Sequence, residues 1–287
     1  MSNKTFNGPV QQDAPCRDTG QVGTAVRRLG PAWQAIESWR LVIMNLLLPM
    51  YCKQCGTRLF TEENNFFCPD CWEGTPRIER PFCIRCGKPH QKMVGLGATS
   101  NFPCAACREK TNPPIGRIRG AVHYDGAVSL AIRLFKFHKK VSLQEPLAAL
   151  MVEFARREME PSQYDCIVPV PLYKTRLRER TFNQSELLAE ILVRDAFPET
   201  VLNKSLQRIR PTRAQSRLKT EDRAMNVRGA FAVIDDSLKG KRILLVDDVI
   251  TTGDTITECA KAMRRAGAGE VDAFAVALAC PVVRFDR

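Results

Sequence analysis

Long apolar segments are missing from this chain of 287 residues. The apolar stretch LVIMNLLLPM at 41–50 has ten residues, about half of what a helix needs to cross a bilayer. The amino-terminal stretch MSNKTFNGPVQQDAPCRDTG is polar and has no apolar core of the secretory type. These absences predict a cytoplasmic protein with no stable membrane insertion.

Acidic and aromatic residues are also scarce. The chain has 31 Asp+Glu against 43 Lys+Arg, a formal net charge of +12 that is spread along its length. Such an excess suits a phosphate-rich ligand or a nucleic acid, although a protein that is simply basic is the alternative. Aromatic residues make up 7%, and the sequence offers no obvious aromatic platform for a base.

The first fifty residues divide into two segments. Residues 1–30 are polar and aperiodic, which predicts a disordered extension. From Pro31 apolar residues recur at roughly helical spacing until Pro49, so 31–50 is predicted to be an amphipathic helix that docks on the rest of the protein. A membrane-surface helix is the alternative, but its polar face has few basic residues.

Cysteine is the one residue type in clear excess, with twelve in the chain. In a reducing compartment they are metal ligands or buried thiols rather than disulfides. Eight lie within 51–119, a region too poor in periodic apolar runs to fold on hydrophobic burial alone. They form four pairs with one spacing: Cys52 and Cys55, Cys68 and Cys71, Cys83 and Cys86, Cys104 and Cys107.

Two residues between cysteines allow both sulfurs to reach one ion, and four thiolates satisfy tetrahedral Zn²⁺. Gly56 and Gly87 follow the first and third pairs, where the backbone must turn. The spacing therefore predicts two structural four-cysteine zinc sites in a double zinc ribbon. Consecutive pairing is the simplest arrangement, interleaved pairing stays open, and a redox dithiol or an iron–sulfur cluster is the competing explanation.

Residues 120–287 have ordinary α/β patterning. The run KRILLVDDV at 241–249 is continuously apolar before its aspartates, which indicates a buried strand of a parallel sheet. Strands and helices alternate, which predicts a parallel sheet flanked by helices. Strands are predicted at 121–126, 165–172, 241–249 and 270–280, and helices at 128–140, 143–160, 183–197 and 255–269.

The stretch LLVDDVITTGDT brings Asp247 and Asp248 to the carboxyl edge of that sheet, where open α/β sheets bind ligands. The segment from Thr251 to Thr255 then enters a helix, whose amino terminus attracts anions. Gly253 lets the backbone approach a phosphate closely. The stretch therefore provides acceptors for a sugar diol beside donors for a phosphate, as a ribose 5-phosphate requires.

ILLVDDVITTGDT resembles the phosphoribosyl diphosphate signature of type I phosphoribosyltransferases. The resemblance implies that Asp247 and Asp248 hold the ribose hydroxyls, with Mg²⁺ bound alongside the ligand. It implies that the loop holds the 5-phosphate, through Thr251, Thr252, Gly253, Asp254 and Thr255. Purine-salvage members of that class have an aspartate where this chain has Thr251. This difference weakens the case that the acceptor is a purine.

The wider chain is similar to the ComF family, over residues 45–280. The segments that support this are the cysteine pairs, IRLFKFHKK, VPVPLYKTRLRERTFNQSELLAE, RPTRAQSRLKTEDRAMNVRGAF and the signature itself. The resemblance implies a link to natural competence and DNA uptake. It also implies diphosphate contacts from Lys174 and Arg176 after the second strand, and from Arg208 and Arg210 in a mobile loop at 204–228.

Two functions from different classes remain open. In the first hypothesis, the chain is a phosphoribosyltransferase that uses phosphoribosyl diphosphate and Mg²⁺. Alternatively, it is a non-catalytic adaptor that binds single-stranded DNA or the competence and helicase proteins of the uptake machinery, with the transferase fold as a ligand sensor. A receiver domain is weaker, because its acidic pair follows the first strand, whereas this pair lies near the end of the chain.

Overall fold

The computed structural model describes residues 49–59, 66–90, 102–212 and 225–280. The extension predicted at 1–30 and nearly all of the helix predicted at 31–50 lie outside these residues. The chain divides into two compact units, Met1–Leu46 and Leu47–Arg287, and the second contains every described residue. No helix of the described ranges is long and apolar enough to cross a membrane.

The cysteine-rich region consists of short elements. Strands β1 (Met50–Tyr51) and β2 (Arg58–Leu59) pair antiparallel around the first cysteine turn. Met50 therefore belongs to this hairpin, and the prediction that the helix extends to residue 50 is wrong at that residue. Helix α1 (Pro69–Glu73) contains the second cysteine of the second pair, and α2 (Ala105–Arg108) contains the second cysteine of the fourth. Gly56 and Gly87 have φ of +77° and +69°, a backbone conformation that favours glycine.

The rest of the chain builds a five-stranded parallel sheet in the order β3-β9-β8-β4-β5. Its strands are β3 (Ile118–His123), β4 (Cys166–Pro169), β5 (Val201–Leu202), β8 (Ile243–Ile250) and β9 (Val271–Leu278). The two longest, β8 and β9, form the centre with β4, as their continuous apolar runs require. The predicted α/β fold, with a parallel sheet flanked by helices and preceded by a small zinc-ribbon region, is confirmed.

Helices pack against the parallel sheet. The helices are α3 (Gly126–Phe137), α4 (Gln144–Glu158), α5 (Lys174–Arg180), α6 (Gln184–Asp195) and α7 (Asp254–Arg265). Single 3₁₀ turns lie at Val141–Leu143 and Pro161–Gln163. Helix α4 packs against β3 and β9, α6 packs beside it against β4 and β8, and α7 packs against β8 and β9. Each of the four helices predicted within 120–287 is present, with its ends moved by a few residues.

An antiparallel pair, β6 (Leu206–Arg208) with β7 (Phe231–Val233), forms a sheet separate from the parallel one. The sequence assigns residues 204–228 to one mobile loop, and the structure corrects this because β6 is a paired strand within it. Residues 213–224 of the segment lie outside the described residues.

The ribbon region packs directly against the edge strand β3. The backbone N–H of Ile78 donates to the Ala121 carbonyl at 3.0 Å, and Arg119 donates to the Ile84 carbonyl at 3.0 Å. A line of aromatic rings joins the two parts, with Phe82 6.2 Å from Phe154 and Phe154 5.7 Å from Phe274 between ring centroids. The predicted boundary at 119/120 falls inside β3, so the sheet begins where the ribbon region was expected to end.

Candidate functional site

The eight cysteines of the ribbon region gather into two clusters. One contains Cys52, Cys55, Cys68 and Cys71, and the other contains Cys83, Cys86, Cys104 and Cys107; within each cluster the sulfurs lie within 4.8 Å of one another. Consecutive pairs therefore share a cluster, and the interleaved arrangement is not the one that the structure adopts.

The sulfur separations fit a tetrahedral ion. Cys55 Sγ lies 3.6 Å from Cys68 Sγ, and Cys86 Sγ lies 3.8 Å from Cys104 Sγ. Four sulfurs about 2.3 Å from a central Zn²⁺ are about 3.8 Å apart, so both clusters have the right size. Four thiolates leave no open position on the ion, which favours a structural role over a catalytic one.

At least one thiol in each cluster has a pKa below the ordinary value for cysteine, because of hydrogen bonds. Hydrogen bonding between Cys55 Sγ and the Thr57 hydroxyl, 3.2 Å apart, and with the Thr57 backbone lowers the pKa of Cys55 to about 6. Burial opposes ionisation of Cys83, yet backbone N–H groups, including that of Cys104 at 3.2 Å, lower its pKa to about 6. A thiolate is the form that binds zinc.

The carboxyl end of β8 builds a second site. The loop after the strand leads into α7, and Gly253 stands at the helix N-cap with φ of +87° and no side-chain cap hydrogen bond. The first turn of any helix leaves backbone N–H groups without helical partners, and the helix dipole adds a positive field there. The Thr252 hydroxyl donates to Asp254 Oδ2 at 2.5 Å, which holds the loop closed.

The two aspartates point to different partners, as residues adjacent in a strand do. Asp247 Oδ1 accepts hydrogen bonds from the Ser185 hydroxyl at 3.1 Å and from the Asp248 backbone N–H at 2.8 Å. Asp248 is buried and pairs with Lys136, whose Nζ lies 2.6 Å from Oδ1. Both carboxylates are held by groups from other elements before any ligand arrives.

Asp247 has an unusual pKa. Burial and the neighbouring charge of Asp248 raise it to about 7, although Lys136 and the Ser185 hydrogen bond act in the opposite direction. Asp247 therefore changes protonation near neutral pH, which is typical of groups at functional sites.

A cavity of about 510 Å³ joins these features at the carboxyl edge of the sheet. Its lining includes the acidic pair, the loop at 251–255 and the segment after β4. Five basic side chains also line it, against three acidic ones. The basic residues are Arg133, Lys136, Arg176, Arg180 and Arg208. The cavity thus has a positive excess around two carboxylates, an arrangement suited to a ligand that combines hydroxyls with phosphates.

Most of the predicted ligand contacts meet at this cavity. Asp247, Asp248, Thr251, Gly253, Asp254, Thr255, Arg176 and Arg208 all line it. Among the described residues, three predicted contacts lie outside the cavity lining: Thr252, Lys174 and Arg210. The Thr252 hydroxyl bonds Asp254, and Lys174 is exposed at the start of α5. Arg210 instead donates to the Asn226 and Arg228 carbonyls, at 3.2 and 2.6 Å.

Sequence reasoning missed several lining residues. Lys136 and Ser185 stand far from the aspartates in the chain, and only the fold brings them together. The expectation of no aromatic platform is also corrected, because Tyr124, Phe137 and Tyr173 line the cavity. Their positions at the ends of elements are the sequence signal that could have identified them. Tyr124 and Tyr173 follow the carboxyl ends of strands, and Phe137 ends α3.

Two family models match the chain. A double zinc ribbon domain matches residues 43–108, and a phosphoribosyl transferase domain matches residues 200–281. The second match contains β8 with both aspartates and the loop that follows. Together they cover the cysteine clusters and the carboxyl-terminal half of the sheet.

Similar proteins cover most of the chain. Competence protein F of Haemophilus influenzae is 32% identical over 234 residues, which are 79% of this chain and 96% of that protein. DNA utilization protein YhgH of Escherichia coli K12 is 32% identical over 71% of this chain and 86% of its own length. Competence protein ComFC of Bacillus subtilis is 27% identical over 72% and 82%.

Solved phosphoribosyl enzymes match only in part. Glutamine phosphoribosylpyrophosphate amidotransferase of B. subtilis has a TM-score of 0.35 and 18% identity, covering 50% of this chain and 30% of that chain. The relation rests instead on the sequence matches, which span the ribbon region and the transferase region together. The chain belongs to the family of competence protein F, the ComF family.

Proposed function

We propose that the chain binds phosphoribosyl diphosphate with Mg²⁺ in the 510 Å³ cavity and transfers the phosphoribosyl group to an acceptor. The observation that supports this is one cavity that holds an acidic pair, a glycine-capped helix amino terminus and five basic side chains. The names of its relatives suggest a cellular setting of competence and DNA utilization.

Each group has a distinct role in this proposal. Asp247 and Asp248 accept hydrogen bonds from the ribose hydroxyls, and the loop at 251–255 donates to the 5-phosphate. Arg176 and Arg208 meet the diphosphate, since guanidinium groups pair well with phosphate oxygens. Mg²⁺, bound with the ligand, would neutralise part of the diphosphate charge, and carboxylate oxygens of the acidic pair are the kind of ligand it prefers.

The transfer step is a displacement at the anomeric carbon. The lone pair of the acceptor forms the new bond to that carbon, and the carbon–oxygen bond breaks with its electron pair leaving on the diphosphate. A proton of the acceptor is released to water. The transition state has oxocarbenium character, so the site acts by positioning and by electrostatic stabilisation of separated charge.

Replacement of the acidic pair tests the proposal. Asp247→Asn with Asp248→Asn should lower the affinity for phosphoribosyl diphosphate at least about a hundredfold, because both charged acceptors are lost. Calorimetry of the zinc-loaded protein with Mg²⁺ measures it, and Asp235→Asn, at an exposed site outside the cavity lining, is the control. Equal affinity of the double variant and wild type would refute this role for the pair.

A second candidate is the non-catalytic adaptor that binds single-stranded DNA. In the first ribbon Tyr51 is 50% exposed and Lys53 is exposed beside it, a pairing of ring and charge that suits stacked bases. Pyrophosphate release with a panel of bases supports the enzyme. DNA affinity that falls steeply with salt, without turnover, supports the adaptor.

A further inference from the structure

The wall of the cavity between α5 and α6, with the sequence Arg180-Thr-Phe-Asn-Gln184, has no role in the contacts proposed above. Gln184, the first residue of α6, lines the cavity although only 1% of it is exposed. Its neighbour Ser185 donates to Asp247, so Gln184 lies beside the group proposed to hold the ribose.

The orientation of the Gln184 amide is fixed. Arg180 donates from its NH1 group to Gln184 Oε1 at 2.9 Å, so the oxygen must face the guanidinium. The amide nitrogen, Nε2, is buried and has no hydrogen-bond partner in the described part of the chain. A buried donor without a partner costs about 1–3 kcal/mol, which indicates that a ligand supplies the missing acceptor.

Arg180 and Phe137 extend this wall. The guanidinium carbon of Arg180 lies 5.3 Å from the centroid of the Phe137 ring, and within the described ranges Arg180 forms no ion pair. Phe137 is 58% exposed, an unusual state for a large apolar ring in a cavity. Stacking on a planar ligand would cover the ring, and the remaining guanidinium N–H groups would be available at the edge of that ligand.

The chain between these residues is shaped to bring them together. Thr181 ends α5 with φ of +73°, a left-handed conformation that is rare for a β-branched residue. This residue separates α5 from α6, and Arg180 donates to Gln184 across it. Arg180, Gln184 and Phe137 thus present donors and an aromatic face without an acidic side chain among them.

We propose that Phe137, Arg180 and Gln184 form the acceptor subsite, and that it selects a planar nitrogen ring with an oxygen acceptor, an oxo or carboxylate group. This inference rests on the proposed transferase function. The ring stacks on Phe137, its oxygen accepts from Gln184 Nε2 and Arg180, and its nitrogen faces the anomeric carbon. Adenine is disfavoured, because its exocyclic amine is a donor that would face other donors.

Gln184→Glu is the main test, because it keeps the shape and the acceptor for Arg180 but replaces the free donor with a carboxylate. Binding of uracil, orotate, nicotinate and adenine to the zinc-loaded full chain is measured by calorimetry, with and without phosphoribosyl diphosphate and Mg²⁺. Wild type should bind an oxygen-bearing ring more tightly than adenine. The variant should bind that ring about tenfold to a hundredfold more weakly, since one buried hydrogen bond is lost.

Two further variants make the test selective. Gln144→Glu is the matched control, because Gln144 is also the first residue of a helix but lies outside the cavity lining, and it should change nothing. Phe137→Ala alters an exposed side chain that the fold does not need, so it should fold and still weaken ring binding. It provides the answer if Gln184→Glu fails to fold.

The outcomes separate the two proposals. Failure of wild type to bind phosphoribosyl diphosphate would refute the proposed function, while ring binding without that ligand still tests the subsite. Ring binding that is unchanged by both Gln184→Glu and Phe137→Ala would refute the subsite. A preference for adenine over every oxygen-bearing ring, or binding of no ring at all, would refute it as well.

Discussion

Asp247 has surroundings that disfavour its ionised form in the folded protein. Its surroundings include one opposing charge from Lys136 and one like charge from Asp248, together with burial that disfavours ionisation. Arg180 and Arg208 also act on this acidic pair electrostatically. The result is a carboxyl whose pKa of about 7 lies far above the ordinary value of 3.8. Hydrogen bonds from ligand hydroxyls would favour the ionised form that burial and the Asp248 charge disfavour.

This pKa predicts that Asp247→Asn stabilises the protein above neutral pH. Between pH 3.8 and about 7 the folded protein keeps a proton that the unfolded chain has released, so the contribution of Asp247 to the free energy of unfolding falls as pH rises. The asparagine keeps the Oδ1 acceptor for Ser185 and removes the charge. We expect the variant to be more stable than wild type by about 1–3 kcal/mol at pH 8, with little difference at pH 4. Urea unfolding at both pH values measures this.

Asp165→Asn is the control of opposite sign. Hydrogen bonds from the Arg242 side chain and backbone lower the pKa of Asp165 to about 2. Its contribution to stability is therefore present above pH 3.8 and is lost as pH falls toward 2, so this variant should be less stable than wild type at pH 8. If Asp247→Asn destabilises at pH 8 as Asp165→Asn does, the pKa of Asp247 is not raised.

At the scale of elements, the turn from β8 into α7 depends on one backbone conformation. Gly253 has φ of +87°, and a Cβ added there would meet nothing closer than 3.9 Å. Gly253→Ala should therefore cost only the backbone preference, about 1–2 kcal/mol, without a steric clash. The same change should reorient the first N–H groups of α7 and lower the affinity for phosphoribosyl diphosphate about tenfold or more.

Gly240 offers a matched control for this prediction. It has φ of +70° and open space around its Cα, but it lies in the turn before β8, outside the cavity lining. Gly240→Ala should lower the free energy of unfolding by a similar amount and leave ligand affinity unchanged. Calorimetry and chemical unfolding of both variants give the comparison, and an equal loss of affinity in both would contradict the proposed role of Gly253 in phosphate binding.

Local patterns in the sequence predict the helices and strands well. They predict poorly the contacts around the cavity between residues that are distant in the chain. The continuous apolar run before Asp247 identifies β8, because this signal lies within a few residues of the chain. Lys136 could not be assigned to Asp248 in this way, since their 2.6 Å contact depends on how α3 packs beside the sheet. Likewise Arg210 looks as suitable as Arg208 in the sequence, yet in the structure Arg208 lines the cavity and Arg210 bonds backbone carbonyls.

At the scale of the whole molecule, the second cysteine cluster is joined to the sheet more directly than a separate module would be. The Ile118 backbone N–H donates to the Arg85 carbonyl at 2.7 Å. Arg85 lies between two cysteines of that cluster in the sequence. A Cβ on Gly87 would lie 2.4 Å from the Ile118 carbonyl oxygen, which shows how closely the cysteine turn approaches β3. Ion pairs add to this contact, with Arg80 2.7 Å from Glu158 at the end of α4.

This connection predicts that loss of zinc from the second cluster lowers the stability of the transferase sheet as well. Cys86→Ser and Cys55→Ser each remove one ligand from a different cluster, so each should lose one zinc ion per chain by elemental analysis. Scanning calorimetry should show one unfolding transition for wild type, because the ribbon and the sheet share one core. We expect Cys86→Ser to lower its Tm by about 5–10 °C, as a loss of a few kcal/mol does in a protein of this size, and Cys55→Ser to lower it less. A separate low-temperature transition in Cys86→Ser, with the main transition unmoved, would mean that the second ribbon unfolds alone and does not support β3.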